Sequence, residues 1–538
     1  MEFDPLTISP FSAKDMLVEH AREVLGADAE LLDASRGGPN WQQRTVQSAW
    51  HVLGMYADYC YGAPGDRPTV RLLVPGTGIN HATHFQRFAE ASDTQRESWS
   101  IGVSYLLSAW QYLVDELLPG AWLSDLIAAF TAAISGGYYP TPATLDFVRP
   151  IANRYLAYML GAELENEDFS VYLDTGATGA FAQVVSTLSR NRLLNPKDKV
   201  AMLWPWYEPM KDLFSRQYGC QIVPVRRSRR RHWAVEEADL PQLDDPSVKL
   251  MVIVSPGNPV DTTLEPELLD YLEQLVSRRP ELIILCDYVY ANFVEHPFDN
   301  ALVRMPRNVI PFYAPSKDFG LAGCRIGATW IHPDSAPDRL LRQMPPDLAR
   351  EVDARYASRR PQPRPSFYDR LIMDSAGVSF SHMAGLAAPS QVLFALCALF
   401  PLVAAQDARD YFGWLHNELL ERMAMLYDAL GLELDVRHQA ASSNYCALIS
   451  LDEVAAAQGP ACAEAFAEVG LWRFLQHLAH SRGTIIMPGP AFGGEARSFR
   501  VCLTSLGKFA YHQVGRNIAE AIGDYTFPSP CPYCDPSP

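Results

Sequence analysis

Lysine is scarce in this sequence, and Lys317 stands in APSKDFGLAGCRIG, where an apolar run ends and a glycine-rich turn begins. Alone, that lysine reads as a surface residue of a loop. Five further segments hold residues with chemistry at the ends of apolar runs. DTGATGAF follows a run that reads as a strand and opens a helical one, so Gly176, Ala177 and Thr178 offer N–H groups and a hydroxyl to an anion, as helix N-termini do. A tight strand-to-helix turn would look the same. WPWYEPM carries Tyr207, a flat ring for a flat partner or a core tyrosine. SPGNPVDT carries Asn258, which also suits a simple Asn-Pro turn. LIILCDYVY places Asp287 after a mostly apolar run, where a carboxylate is costly to desolvate unless it has a partner, and Tyr290 follows three residues on. RSFRVCLT puts Arg500 on a strand, with a guanidinium suited to two-pronged contact with a carboxylate; Arg497 is close by.

The elements that must hold these residues follow from periodicity. From residue 14 to about 135 apolar positions recur at helical spacing, punctuated by SRGGPNW and GAPGDRP. Between about 168 and 330, β-rich runs (SVYLDTG, KVAMLWP, QIVPV, KLMVIVSP, LIILCD, VIPFYA, GATWIHP) alternate with helical ones, which predicts an α/β fold with a mostly parallel sheet. Sites in such sheets gather at the C-terminal strand ends, where the residues above fall. After 335 helices dominate, and NYCALISL, GTIIMPGPAF and SFRVCLT return as strands. The expected division is an N-terminal segment with a helical insert (1–150), a large domain (151–345) and a smaller α+β domain with connecting helices (346–538).

Composition narrows the function classes. The chain has 538 residues, 48% hydrophobic and 20% charged, which suits a globular protein of two or three domains. A formal charge of −17 argues against a nucleic-acid partner. The basic run RRSRRRHW at 226–233 reads as a solvated loop leaving a strand. No apolar run reaches the ~20 residues of a membrane span, and the start lacks a signal-peptide layout, so a cytoplasmic protein without a membrane partner is expected. Ten scattered cysteines suggest no disulfide framework, and the CxxC at Cys531 and Cys534 reads as Pro-rich tail. His81 and His84 in HATHF read as solvated, and no metal is expected.

Together, in this order, the six segments resemble those of the aminotransferases of pyridoxal 5'-phosphate (PLP) fold type I. The resemblance implies an aspartate-aminotransferase-like fold and a PLP cofactor. Lys317 would carry the cofactor as a Schiff base, with Arg325 and the Gly176, Ala177, Thr178 turn around its phosphate. Tyr207 would stack on the pyridine, Asn258 and Tyr290 would hydrogen-bond its phenolic oxygen, and Asp287 would keep the ring nitrogen protonated, making the ring an electron sink. Arg500 would hold the substrate α-carboxylate. Lys317, Asp287 and Tyr290 are then the catalytic candidates.

Ordinary aminotransferases lack the helical insert at 40–135, whereas the aspartate 4-decarboxylases have it and are similar along nearly the whole chain, at SPFSAKD, SRGGPNW, GGYYPTP and LIMDSAGVSFSHMAGLAAPSQV. This resemblance implies that Lys14 and Arg36 lie on a segment covering the substrate, and that Tyr139 reaches the cofactor phosphate of a neighbouring subunit in a homodimer or larger assembly. Three positions depart from the pattern: Ala376 replaces an arginine, Met383 a threonine and Ala314 a serine that contacts the phosphate. An unpaired second carboxylate would bind poorly, so the expected substrate is an amino acid other than aspartate. An S-substituted cysteine, handled by β-elimination or by decarboxylation coupled to deamination as in lincosamide antibiotic pathways, fits that expectation. A genuine L-aspartate 4-decarboxylase or aspartate aminotransferase is the alternative, and a non-catalytic binding or regulatory protein on the same fold is the alternative of another class.

Overall fold

A computed structural model describes residues 10–61, 79–91, 97–137, 139, 143–295, 297–359, 363–434 and 441–526. The GAPGDRP turn, within 62–68, and the CxxC at Cys531 and Cys534 lie outside them. The strands are β1 (Leu32–Asp33), β2 (Ser170–Thr175), β3 (Lys199–Trp204), β4 (Gln221–Ser228), β5 (Ala234–Val235), β6 (Val248–Val254), β7 (Ile283–Asp287), β8 (Val309–Tyr313), β9 (Ile326–Ile331), β10 (Cys446–Ser450), β11 (Thr484–Ile485), β12 (Met487–Pro488) and β13 (Ser498–Cys502).

Eight strands form one sheet in the order β2-β9-β8-β7-β6-β3-β4-β5. The pairs β3–β4, β3–β6, β6–β7 and β7–β8 are parallel. β9 runs antiparallel between β2 and β8, and β5 closes the far edge antiparallel to β4. The central strands are continuous apolar runs because helices cover both faces of a parallel sheet. Pro266–Arg278 is one such crossover, burying Leu268, Leu269, Leu272 and Leu275 along a single stripe. Ala177–Arg190 is another, packed by Ala180, Phe181, Val184 and Leu188.

The first 150 residues divide their packing. Helices Arg44–Tyr61, Glu97–Tyr112 and Leu123–Ile134 gather around Ala388–Val403, whose residues from Gln391 to Pro401 are all buried. In that apolar setting Gln391 is fully engaged: its amide donates to the carbonyls of Ala143 and Leu386 and accepts from the Leu145 N–H. Helix Pro10–Leu25 packs instead on Leu471–Arg482, and β1 pairs in parallel with β11. β10, β13 and β12 make a three-stranded antiparallel sheet beside helices Leu451–Ala457 and Leu471–Arg482. No single described helix is long and apolar enough to cross a membrane.

Two expectations are corrected. The basic run is not a solvated loop throughout: β4 extends to Ser228, and Arg227 is buried, donating to the Trp233 carbonyl and to Thr262, because the strand pairs with β5 before it turns. His81 is buried rather than solvated, its ring bonded to the Tyr56 hydroxyl at 3.1 Å in the helical insert. No metal-holding cluster of His, Cys, Asp or Glu occurs among the described residues.

The close approach of β9 to the turn after β2 has a measurable consequence. A Cβ on Gly327 would lie 2.1 Å from the Gly176 carbonyl carbon and 2.2 Å from the Ala177 nitrogen, backbone that has nowhere to go. Gly327→Ala is expected to cost more than about 2 kcal/mol in urea unfolding, as forced overpacking does; a change below 0.5 kcal/mol would contradict this packing.

Candidate active site

The C-terminal ends of β2, β3, β6 and β7, and the turn after β8, open onto a cavity of about 420 Å³ whose other wall is the small sheet and the 35–38 loop. Eleven of the residues singled out in the sequence line it: Lys14, Arg36, Ala177, Thr178, Tyr207, Asn258, Asp287, Tyr290, Lys317, Arg325 and Arg500. Gly176 sits just behind, at φ 86°, a conformation favouring glycine, and a Cβ there would meet Arg325 Nη2 at 2.5 Å. Helix Ala177–Arg190 begins at this point with its N–H groups toward the cavity mouth, and the Arg325 guanidinium donates to the Ala322 carbonyl. Glycine is thus what lets a cation stand over a helix N-terminus, a cradle of phosphate size.

Asp287 ends β7. Burial pushes its carboxyl up to about 6, against the opposing pull of the Val289 N–H, which donates to it at 3.0 Å, and of the Lys317 charge. Lys317 Nζ donates to the Gly37 carbonyl at 2.8 Å, and burial lowers its pKa, with Arg500 adding to the fall. The Lys317 carbonyl is fixed by the Trp41 indole N–H at 2.9 Å. Arg500 lies on β13 with its guanidinium 3.8 Å from the Phe492 ring centre; Nη1 donates to Asn258 Oδ1 and Nη2 to the Ser35 carbonyl. Its Nε is buried with no partner, a charged donor awaiting an acceptor. Asn258 in turn donates to the Tyr290 hydroxyl at 3.3 Å.

These residues fit PLP. The cavity offers a buried carboxylate, an amine of lowered basicity, an anion cradle that a Cβ would fill, and an orphaned guanidinium N–H. Lys14 is held at 2.6 Å from Asp33, and Arg36, exposed, is 4.0 Å from Asp15. Tyr139 does not reach this cavity: it is exposed, its ring 5.9 Å from that of His382. Ala376 and Met383 do not line it either, Met383 being half exposed on the same surface turn as His382. Ala314 does line it.

Sequence reasoning missed the other wall. Tyr445 donates to the Gly37 carbonyl at 2.9 Å and places its ring 5.5 Å from Lys317 Nζ. Phe492, Cys502 and Ser316 also line the cavity. Only Ser316 carried a local signal, as the residue before Lys317. Tyr445 and Cys502 are ordinary apolar-strand residues until the fold sets them opposite.

The raised carboxyl gives stability a sign. Asp287 titrates near 6 when folded and about 3.9 unfolded, so between those values the folded state holds the extra proton and stability falls as pH rises. Asp261 and Asp318, also pushed up to about 6 by burial, add to that fall. Asp287→Asn is expected to flatten the cofactor-free stability curve between about pH 4 and 6 by on the order of 2–3 kcal/mol. Parallel wild-type and variant curves in denaturant titrations would refute the assignment.

Comparison with known proteins agrees with this geometry. The family model for aminotransferase class I and II matches residues 139–510. A bifunctional aspartate aminotransferase and L-aspartate beta-decarboxylase from a Pseudomonas species is 32% identical over 528 residues, covering 95% of this chain and 94% of that protein. A 1-aminocyclopropane-1-carboxylate synthase of Prunus mume is 26% identical over 38% of this chain and 42% of its own length. Among solved structures, a Thermus thermophilus aspartate aminotransferase double mutant superposes with a TM-score of 0.57 over 98% of this chain and 99% of its own, at 14% identity. With the family matched over most of its length and a full-length relative above 30% identity, the chain belongs to the aminotransferase class I and II family of PLP-dependent enzymes.

Proposed function

We propose that this enzyme acts on an α-amino acid at its Cα, and that its substrate carries a side chain less acidic than that of aspartate. The observation that carries the first part is Arg500, which lines the cavity beside Asn258 and Phe492 with its buried Nε unpartnered and suits a substrate α-carboxylate.

In this reading PLP, when bound, supplies a sink for the electron pair released at Cα. Asp287 holds a proton at the ring nitrogen, an ion pair that relieves its own desolvation. Tyr207 stacks against the ring; Asn258 and Tyr290 hydrogen-bond the phenolic oxygen. The N–H groups and hydroxyl of the Gly176–Thr178 turn bind the phosphate with Arg325, and Ala314 contributes no hydroxyl there. Lys317 would hold the cofactor, and its amine would move the Cα proton, a task its lowered basicity suits. Lys14 and Arg36 cover the substrate from the 10–41 segment.

A homodimer completes the site: the exposed Tyr139 and Met383, with the half-buried Ala376 at the end of helix Phe367–Ser375, belong to the face that meets the partner's cavity. Two apolar residues there leave a second carboxylate without a cation, which favours an S-substituted cysteine, split by β-elimination or by decarboxylation-coupled deamination, as in lincosamide antibiotic biosynthesis. The second reading, an L-aspartate 4-decarboxylase or aspartate aminotransferase, is favoured by the likeness to the Pseudomonas protein along nearly the whole chain.

Lys317→Ala is expected to lower turnover by roughly 10²–10⁴-fold or more and to remove the visible absorbance of lysine-bound cofactor; full turnover in that variant would sink the reading. Offered L-aspartate and an S-substituted cysteine separately, the holoenzyme is expected to release pyruvate, thiol or an aldehyde from the conjugate, read by mass spectrometry. Alanine and carbon dioxide from aspartate, with the conjugate untouched, would establish the second reading instead.

A further inference from the structure

Cys446 and Cys502 are direct register partners in β10 and β13. The Leu503 N–H donates to the Tyr445 carbonyl just beyond them, while the Cys502 N–H goes to Ala34, so the two cysteines form a pair that exchanges no ladder bonds. Such pairs bring their Cα atoms to about 4.5 Å with both side chains on one face, within the ~4.4–6.8 Å that a disulfide spans. Both thiols are free and buried. Cys502 lines the active-site cavity, and its Sγ is 3.7 Å from the point a Cβ on Gly37 would occupy, the same distance as Lys317 Nζ. The Cys446 thiol is directed to Asn258 Oδ1 and the Pro259 carbonyl, each at 3.6 Å. Neither sulfur has a part in the chemistry proposed above.

The geometry points to a redox couple in the cavity wall: Cys446 and Cys502 close to a cross-strand disulfide when hydrogen peroxide enters the cavity. The Cys502 sulfur, which lines the cavity beside Arg500, attacks one peroxide oxygen as it gives up its proton. The O–O bond breaks, hydroxide leaves and takes up the thiol proton as water, and Cys502 becomes a sulfenic acid. The Cys446 sulfur then attacks that sulfur, the S–O bond breaks, and the second oxygen leaves as water with the Cys446 proton. Two thiols are oxidised and one peroxide is reduced to two waters. The disulfide has no S–H to give, so Asn258 Oδ1 loses a donor while still serving Arg500, and the Asn258–Tyr290 pair at the reactive end of the site is retuned.

The test uses PLP-loaded enzyme treated with hydrogen peroxide in several-fold molar excess, alkylated and digested without reductant. The expected result is a linked peptide pair containing Cys446 and Cys502, two hydrogens lighter than the reduced pair and reopened by dithiothreitol. It is accompanied by a reversible shift in the pH midpoint of the cofactor's visible absorbance. In Cys446→Ser the link is absent and Cys502 goes on to sulfinic acid, with no dithiothreitol recovery. Alkylated Cys446 beside a sulfinic Cys502 in treated wild type, or both thiols alkylated, overturns the couple; a link without an absorbance shift overturns its connection to Asn258. The wild-type digest decides the matter even if the variant fails to fold, and its mass readout is independent of which substrate the enzyme takes.

Discussion

A carboxylate buried at the end of an apolar strand is the constraint around which this molecule is organised. Asp287 closes β7, and the chain beneath it is hydrophobic on both faces because helices cover the sheet. A charge in that position needs a cation, and the nearest, on Lys317, is itself desolvated and lowered in basicity. Neither group satisfies the other by direct contact; each is left with capacity for a ligand that is cationic at one atom and electrophilic at another. The five parallel strands, with their crossover helices, exist in this respect to deliver such groups to one edge.

Around that edge the polar contacts form one connected set. Arg500 reaches Asn258, Asn258 reaches Tyr290, and Lys317 and Tyr445 share the Gly37 carbonyl. The members come from the loop after β1, the ends of β6 and β7, the turn after β8, and β10 and β13. Because each bond is at least partly buried, moving one member strands the donors or acceptors of the next, which ties the orientation of the guanidinium to that of the amine.

Much of the sheet and half of the cavity were legible in the sequence. β-branched runs ending in Gly, Asn, Asp or Lys marked the strand ends, and a single chemistry explained all of them, so Asp287, Asn258, Tyr207 and Lys317 stood out. The other half was not legible, for a physical reason. Tyr445, Phe492 and Cys502 meet the lysine only through tertiary packing, and their segments read as ordinary core strands. Arg227 was misjudged because a run of arginines looks solvated, whereas a second strand, β5, pairs beside it and draws one of them inside. His81 was misjudged likewise, since nothing near HATHF announces that Tyr56, a helix away, will take up its ring nitrogen.

The pairing of β1 with β11 brings segments far apart in the sequence to the same wall. Arg500 bonds the Ser35 carbonyl across 465 residues, and Tyr445 bonds Gly37 across 408. On the ribosome the loop at 35–38 therefore has no partner until the strands of the small sheet have left the exit tunnel. The nascent enzyme can fold its large sheet while it is still being made, since the contacts of that sheet are more local. Its catalytic cavity closes only after those strands are made, so a chain terminated before them carries the reactive lysine without the arginine that would give it a substrate.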